Sequence, residues 1–582
     1  MDPEKALDPS GTLDTMGTSS GPVPDSGGVH NDPLPGDVEK QAKGEGFDVT
    51  TTRQSEEKMR PRFFDGTATL TIGDDVILIP TPSYDPRDPL NLPGWHKKLI
   101  VGIIVLYAIS GLCLITALSA LIVYIMPDYT RDGVTPDQIS NLFTFPSLFL
   151  GIGNIVSMPI AVAVGRRPVI LASNVLLFLA AVLCATNRNY YWHLGGRMLA
   201  AFAAAQCQAL ALLIMQDIYF LHQRARVFQI YASAEVLLNS SLVIASSYMA
   251  DALGWRSWYW LFAGLSGLSM VLTYLFVPET AYDRPIESYM GHHPSDTSNL
   301  LPAQGSASDP LDRVASPVPK YTTADDRPTL DLAHYEPRTF SYNLKVFVHK
   351  PTWSRCFLCL KQIGQVFLFP HVLWVAINNG LFQGIDVSIQ MTYADLLVKP
   401  PYNWANTSVS LIQLGQVVVA LLCVPLIGWV SDYVIRFSAR RNGGVHEPEQ
   451  RLLAWILPMV TAIILTVLYG YVLRDPENYH WMAIVSVVDG YLIVLMGVNT
   501  VGTAYLIDAH PNFAGAILVA LPVTRGLVGF GLSKHTTDYI SNIGPVKTFG
   551  IYSAVSAGFC LLGVILFFTG KRVRSTCARM TQ

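Results

Sequence analysis

Long apolar segments dominate this chain and limit what it can fold into. Twelve of them lie between Leu99 and Phe568, and each is about as long as a helix that crosses a bilayer. A lipid-facing backbone must satisfy its own hydrogen bonds, so such segments can only form helices that pack side by side. The sequence therefore predicts an all-α membrane protein.

The predicted spans form two sets of six, and a long polar stretch separates the sets. By number, the first set is 99–125, 139–163, 169–185, 194–214, 227–250 and 258–276, and the second is 372–397, 409–430, 452–472, 482–505, 513–532 and 549–568. We therefore expect a disordered cytosolic N-terminal tail (1–95), an N-terminal six-helix bundle (96–280), a cytosolic linker (281–366), a C-terminal six-helix bundle (367–570) and a cytosolic C-terminal tail (571–582).

Composition agrees with a membrane protein, and charge gives it an orientation. Of the 582 residues, 51% are hydrophobic and 14% are charged, against about 25% charged residues in a soluble domain. The net charge of −3 gives no argument for a nucleic-acid partner. Basic residues gather in alternate loops, as at Arg166 and Arg167 and again at Arg440 and Arg441. The positive-inside rule places these loops in the cytosol, so we predict a multi-pass plasma-membrane protein with both termini cytosolic.

The seventh predicted span carries a stripe of polar side chains. Asn379, Gln383, Asp386 and Gln390 follow one another at steps of four, three and four residues, and Tyr393 continues the series. These steps place all of the side chains on one face of a helix. Polar groups at bilayer depth are costly unless they face a cavity or a partner. The stripe therefore predicts a water-accessible pathway through the bundle.

Three other spans confine their polar residues in the same way. The fourth has Arg197 and Gln208, with Ala201 and Ala204 between them leaving room for another molecule, while the fifth has Glu235 and the tenth has Asp489. We expect Arg197 and a nearby carboxylate, Asp386 or Asp489, to bind substrate and proton in competition. A structural ion pair is the alternative for these charges. Glu235 and Arg525 are open to a pathway role, to pairing with each other, or to binding backbone carbonyls.

Short motifs in the loops narrow the family. They are Gly165-Arg166-Arg167-Pro168-Val169 after the second span, the segment from Asp217 to Arg224 after the fourth, Gly254-Trp255-Arg256 before the sixth, Pro278-Glu279-Thr280 after it, the segment from Arg441 to Leu452, and Tyr505-Leu-Ile-Asp508. Together they resemble the fungal twelve-span drug:proton antiporter-like group of the major facilitator superfamily. The resemblance covers residues 84–574.

The resemblance implies a major-facilitator fold with 12 transmembrane helices in two six-helix bundles around a central cavity, which works by alternating access. It also implies gating loops at the cytosolic ends, with Gly165, Arg166, Arg167, Asp217 and Arg224 in the first half and Gly428 and Asp432 in the second. Val162 stands where the family's first loop usually has an aspartate, so we expect the inner gate to depend on Asp217 and Asp432.

Function remains open among three classes. The first is proton-coupled export of a small organic molecule, such as a secondary metabolite, toxin or drug. The second is proton-coupled uptake of a small nutrient or organic cation, which Leu242-Val243 and Ser246-Ser247 favour because export members of the family usually have glycine-containing pairs there. The third is a transport-dead sensor or a membrane enzyme, and we expect no enzyme because the chain has no zinc or phosphate-loop motif.

The expected partners are a small-molecule substrate, protons and the lipid bilayer, with no cofactor and no metal, and the chain is expected to act as a monomer. Asn406-Thr407-Ser408 is a glycosylation sequon in a predicted outer loop.

Overall fold

The computed structural model describes residues 71–72, 75–76, 78–284, 288, 330–422, 426, 429–430, 433, 448–510 and 513–580. Within these residues, 11 helices are long and apolar enough to cross a membrane: Gly94–Thr116, Pro136–Val164, Arg166–Ala185, Tyr190–Ile218, Leu221–Leu253, Arg256–Phe276, Pro370–Val398, Pro448–Arg474, Met482–Ala509, Ala514–Ile543 and Pro545–Arg574. They are the first to seventh and the ninth to twelfth predicted spans.

The prediction of an all-α membrane protein is confirmed. The predicted eighth span is described as a shorter apolar helix, Asn406–Leu422, and as isolated residues beyond it, so the count of twelve stays a prediction. The other α-helices of the described residues are Leu118–Arg131, which continues the first span, and Phe340–Leu344 and Trp353–Val366 in the linker. A two-stranded antiparallel ribbon joins Thr71–Ile72 to Asp75–Val76.

Two spans are interrupted along their length. The first ends as a regular helix at Thr116 and resumes at Leu118. The fourth changes to a 3₁₀ turn at Ala205–Cys207 before it continues to Ile218. Interruptions leave backbone carbonyls without their usual helical donors, and a membrane protein must supply other partners for them.

The bundle has two ends, which we name by their loops. The basic end carries the turn at Gly165 and the start of the fifth span at Leu221. The opposite end carries the loops 132–135, 186–189 and 399–405. We call the first six spans the N-half and the later spans the C-half.

The two halves are in close contact in the part of the bundle nearest the opposite end. Lys534 of the eleventh span lies 3.8 Å from Asp137 of the second, and the rings of Phe145 and Phe530 meet edge to face at 5.3 Å between centroids. On the other side of the bundle, the Ser410 hydroxyl donates to a carbonyl oxygen of the fifth span at 2.7 Å. The two halves are therefore held together at the opposite end.

Small residues in the fourth span pack against neighbouring helices. A Cβ built on Gly111 of the first span would lie 2.7 Å from the Ala204 Cβ, and one built on Gly153 of the second span would lie 2.6 Å from the Ala205 Cβ. Ala201 and Ala204 are fully buried. Our expectation that Ala201 and Ala204 leave room for another molecule is therefore wrong, because both alanines are buried and Ala204 packs closely against the first span.

The segment before the first span packs against the basic end of the N-half. The Leu221 backbone N–H donates to the Ile79 carbonyl oxygen at 2.7 Å, and Arg284 forms an ion pair with the wholly buried Asp88 at 2.8 Å. Residues 78–95 therefore differ from the predicted disordered tail, because their buried side chains and buried charge hold them in place. Residues 1–70 lie outside the described residues.

The end of the linker touches both halves. Helix Trp353–Val366 packs against the second and eleventh spans, and the Thr352 N–H donates to the Ala163 carbonyl oxygen at 2.9 Å. Arg355 forms an exposed bidentate pair with Asp283, and its guanidinium lowers the pKa of that carboxyl group.

Candidate functional site

Arg197 lies in the fourth span with 2% of its surface exposed. Its Nη1 donates to the Leu114 carbonyl oxygen at 2.8 Å, its Nη2 to that of Ile115 at 3.0 Å, and its Nε to that of Leu142 at 2.9 Å. Leu114 and Ile115 belong to the last turn before the break in the first span, where carbonyls lose helical donors. Leu142 stands four residues before Pro146, which has no N–H to offer it. Arg197 therefore satisfies acceptors that two helix irregularities leave free.

The guanidinium also approaches the Tyr259 hydroxyl at 3.4 Å, and that hydroxyl contacts the fully buried His193 ring at 2.9 Å. None of the ion pairs among the described residues includes Arg197, so the expected pair with Asp386 or Asp489 is not formed in this structure. The charge is balanced by carbonyl dipoles, which favour a cation at the end of a helix.

The polar stripe of the seventh span lies on one face, as its spacing predicts. Gln383, Asp386 and Gln390 are partly accessible although they stand deep in the bundle. The Gln383 amide approaches an Asp386 carboxylate oxygen at 3.5 Å, and Gln390 interacts with the same carboxyl group from the next turn. Asn379 is buried and donates to Asn499 of the tenth span at 3.3 Å.

Asp489 reaches toward the C-half interior from the tenth span. Its Oδ2 packs against Gly415 of the eighth span so closely that no Cβ would fit there. Asp489 is 9% exposed, and its Oδ1 atom is buried without a hydrogen-bond partner. A buried carboxylate oxygen without a partner is costly at membrane depth, which makes Asp489 a candidate site for a proton or a cation.

Tyr393 joins the two aspartates into one cluster. It is fully buried, and Asp386 and Asp489 are both among its electrostatic neighbours. Its hydroxyl faces Ser119 of the first span and Gln413 of the eighth but has no partner in hydrogen-bonding geometry. Among the described residues, no ion pair involves either aspartate.

Gln208 and Glu235 line the N-half side. Gln208 follows the 3₁₀ turn of the fourth span, and its side-chain oxygen lies 3.4 Å from the Asn154 amide of the second span. Glu235 stands one turn after Tyr231, whose hydroxyl donates to the Cys207 carbonyl oxygen at 2.8 Å. Arg525 of the eleventh span is an electrostatic neighbour of Glu235.

The gating residues at the basic end form a connected set. The Glu279 carboxylate accepts hydrogen bonds from the backbone N–H groups of Arg166 at 3.0 Å and Arg167 at 3.2 Å, at the start of the third span. Arg166 also donates to Asp217 at 3.0 Å. The Arg167 side chain bonds the Val277 and Tyr274 carbonyl oxygens at the end of the sixth span. These contacts of the turn after Gly165 therefore hold the start of the third span against the ends of the fourth and sixth spans.

Arg224 donates to two carbonyl oxygens, of Tyr219 and Gln216, at the end of the fourth span. Gly428 and Asp432, the predicted gating residues of the C-half, lie outside the described residues. Asn406 is exposed at the opposite end, at the start of a 3₁₀ turn.

Our sequence interpretation missed several polar residues that complete the site. Asn154, Gln206 and Ser157 link the second and fourth spans, and the Ser157 hydroxyl lies 2.6 Å from the Gln206 side-chain oxygen. Tyr259 and His193 support Arg197. A search for polar residues one turn apart on the second span would have found Asn154 and Ser157.

Replacement of Gly165 by alanine should destabilise the N-half. Gly165 has φ +123°, and a Cβ there would strike the Glu279 carboxylate. Strain at a non-glycine residue in this region costs about 1–3 kcal/mol, so we expect a lower melting temperature of the detergent-purified protein. Gly264→Ala is the matched control, because its Cβ meets nothing within 4 Å. Equal melting temperatures for the two variants would contradict the proposed role of the turn.

Many apolar spans, interrupted helices and polar stripes facing the bundle interior define a multi-pass membrane transporter. A family model described as Major Facilitator Superfamily matches residues 103–533, which is most of the chain. The chain belongs to the Major Facilitator Superfamily, and the predicted family is confirmed.

Similar proteins agree with this assignment. An uncharacterised MFS-type transporter of Schizosaccharomyces pombe is 24% identical, with 87% of this chain and 89% of that protein covered. The efflux pump radE of Floropilus chiversii is 21% identical over 84% of this chain and 83% of the pump. A crystal structure of a POT family transporter superposes with a TM-score of 0.54 at 10% identity, over 83% of this chain and 98% of that one, which shows a shared fold.

Proposed function

We propose that this protein is a proton-coupled exporter of a small organic molecule and that it works by alternating access. The observation that carries the proposal is the cluster of Asp386, Asp489 and Tyr393, where two carboxyl groups share one buried neighbour. Neither forms an ion pair within the described part of the chain. Carboxyl groups placed in this way can take up a proton when the cavity opens to one side and release it on the other.

The contacts between the halves supply the second argument. They hold the two halves together at the opposite end, while Gln383, Asp386 and Gln390 remain partly accessible. If the basic end is cytosolic, as the positive-inside rule requires, this conformation receives substrate from the cytosol. Rocking of the two halves about the cluster would then expose it to the other side. We place both termini in the cytosol and the protein in the plasma membrane, as a monomer.

Export is favoured over uptake for two reasons. The relative in Floropilus chiversii is named an efflux pump, and Ser246 and Ser247 of the fifth span are fully buried, so small residues preserve close packing where glycines are missing. Gly pairs and their small substitutes let helices approach closely.

Proton-coupled uptake of a small nutrient or organic cation is the second candidate. Two carboxyl groups without a cationic partner favour it, because an ammonium group could replace the proton there.

Removal of the gene should separate the two candidates. For an exporter, the compound should accumulate in the deletion cells and decline in their medium, as measured by mass spectrometry of both fractions. Re-expression of the full chain should restore the medium level. Reduced entry of an externally supplied compound, with unchanged secretion of every metabolite, would establish uptake instead.

A further inference from the structure

The linker helix Trp353–Val366 has two apolar faces, and the described part of the chain covers only one of them. The covered face packs against the second and eleventh spans, and its buried residues are Cys356, Ile363 and Val366. Trp353 and Phe357 lie on the other face, with 56% and 70% of their surfaces exposed. Leu360 is also exposed there. We call the face of Trp353, Phe357 and Leu360 the free face.

The free face is a continuous stripe along the helix. Its three residues follow one another at steps of four and three, which places them on one side of a helix. The third side of the helix is mainly polar, with Ser354, Gln362, Gln365 and one exposed leucine, Leu358. A helix with one side against the bundle, one free apolar side and one polar side has the arrangement expected at the edge of a membrane.

The chain around this helix is basic. From residue 337 to residue 369 it has five lysines and arginines and no aspartate or glutamate. Arg355 already pairs with Asp283. Three others are exposed and belong to none of the ion pairs of the described residues: Lys345, Lys350 and Lys361. Lysines beside an apolar helix face favour a membrane surface that carries acidic lipids.

The helix lies at the level where the membrane surface should be. The residue before it, Thr352, bonds the Ala163 carbonyl oxygen at the end of the second span, and the seventh span begins at Pro370, soon after the helix ends. Membrane-spanning helices begin and end near the headgroup region. The free face therefore continues the lipid-facing surface of the bundle at the basic end.

We propose that the free face rests in the lipid leaflet at the basic end and that Lys345, Lys350 and Lys361 bind the headgroups of acidic phospholipids there. A second copy of the chain is a poorer partner, because its own basic segment would repel this one. Since the helix contacts a span from each half, lipids that hold it restrain both halves at this end. The inference requires a chain that spans a membrane, and it is independent of the direction and the coupling of transport.

The test is photocrosslinking of the full-length protein in vesicles of phosphatidylcholine with a small share of phosphatidylserine. The crosslinker p-benzoylphenylalanine replaces either Phe357 on the free face or Ser354 on the polar side, and mass spectrometry identifies each adduct. We expect abundant lipid adducts from position 357 and few from position 354. Phosphatidylserine should be enriched at least about fivefold in these adducts over its share of the vesicle lipid, which is about the effect of one lysine near an acidic membrane surface.

Charge-reversed variants test the three lysines. Lys345→Glu, Lys350→Glu and Lys361→Glu together should lower phosphatidylserine in the adducts to its share of the vesicle lipid or less, while phosphatidylcholine adducts remain. The matched control reverses three exposed basic residues of the opposite end, with Arg131→Glu, Arg188→Glu and Lys547→Glu, and should leave the enrichment unchanged. If size-exclusion profiles show that the first variant fails to fold, glutamine replaces the same three lysines, and most of the enrichment should again be lost.

Several results would overturn the proposal. Adducts from position 357 to a second copy or to another segment of the chain would show that protein covers the free face. The absence of any adduct, or equal lipid adducts from positions 354 and 357, would show that the face is not in the leaflet. Enrichment of phosphatidylserine that survives loss of the three lysines would refute their role. Because crosslinking needs neither substrate nor proton gradient, these results leave the proposed export to be judged by its own experiment.

Discussion

Replacement of Arg197 by methionine should strongly reduce the amount of folded protein. The substitution keeps an unbranched side chain but leaves the carbonyl oxygens of Leu114, Ile115 and Leu142 without the donors that they have in the structure. Each buried acceptor that loses its partner costs about 1–3 kcal/mol, so the expected loss exceeds about 3 kcal/mol. The measurement is the melting temperature in detergent together with the amount of membrane-inserted protein.

Arg188→Met is the matched control, because Arg188 lies exposed just before the same span. The melting temperature of Arg197→Lys should lie between those of Arg197→Met and Arg188→Met, since a lysine retains the charge but has fewer donors in a less rigid arrangement. A stable Arg197→Met protein that binds substrate poorly would contradict the structural role and would return Arg197 to the substrate pathway.

Asp386→Asn and Asp489→Asn should remove the pH dependence of transport and leave the protein in the membrane. Asparagine has nearly the same shape as aspartate, but its side chain neither binds nor releases a proton at the pH values of a transport assay. The substitution therefore removes the proton movement that couples the two sides of the membrane. Because neither carboxyl group forms an ion pair in the described residues, its neutralisation leaves no buried cation uncompensated. The measurement is transport of the compound found in the gene-removal experiment, at several external pH values.

Asp395→Asn serves as the control. Asp395 lies on the same span as Asp386 and forms an exposed ion pair with Lys399 at 2.6 Å. Exposed ion pairs contribute little to the free energy of folding. An unchanged pH profile in both Asp386→Asn and Asp489→Asn would show that neither residue carries the proton. Loss of the protein from the membrane would instead indicate a structural role.

Sequence reasoning was most reliable where side-chain spacing alone decides the geometry. The steps between Gln383, Asp386 and Gln390 place them on one face of any helix, and the structure shows them there. Asp217, which we expected at the inner gate, accepts a hydrogen bond from Arg166 at the basic end.

Sequence reasoning failed where the backbone supplied the partner. Arg197 donates to backbone carbonyl oxygens. Because every residue has a carbonyl oxygen, residue types alone do not indicate which of them lack a helical donor. Pro146 indicates one of the three acceptors, since a proline leaves the carbonyl oxygen four residues earlier without its helical donor. The break in the first span has no proline or glycine at its centre, where Ala117 stands, and could not be read from the sequence.

The alanines of the fourth span show a different failure. A small side chain can indicate a cavity or a tight helix contact, and the two cases look alike in one sequence. The partner residue Gly111 distinguishes them, because a glycine facing an alanine permits contact between backbones. The face of a single helix is therefore insufficient to predict an open site.

The short connection between the linker helix and the C-half restricts how the molecule can move. Only Phe367, Leu368 and Phe369 separate the end of helix Trp353–Val366 from the start of the seventh span, and an extended chain covers at most about 3.5 Å per residue. The helix is thus tethered to the C-half and must travel with it. Its attachments to the N-half are non-covalent: packing on the second span, the Arg355–Asp283 pair and the hydrogen bond from Thr352 to Ala163. If the two halves separate at the basic end during transport, we expect these contacts to break and form again in each cycle.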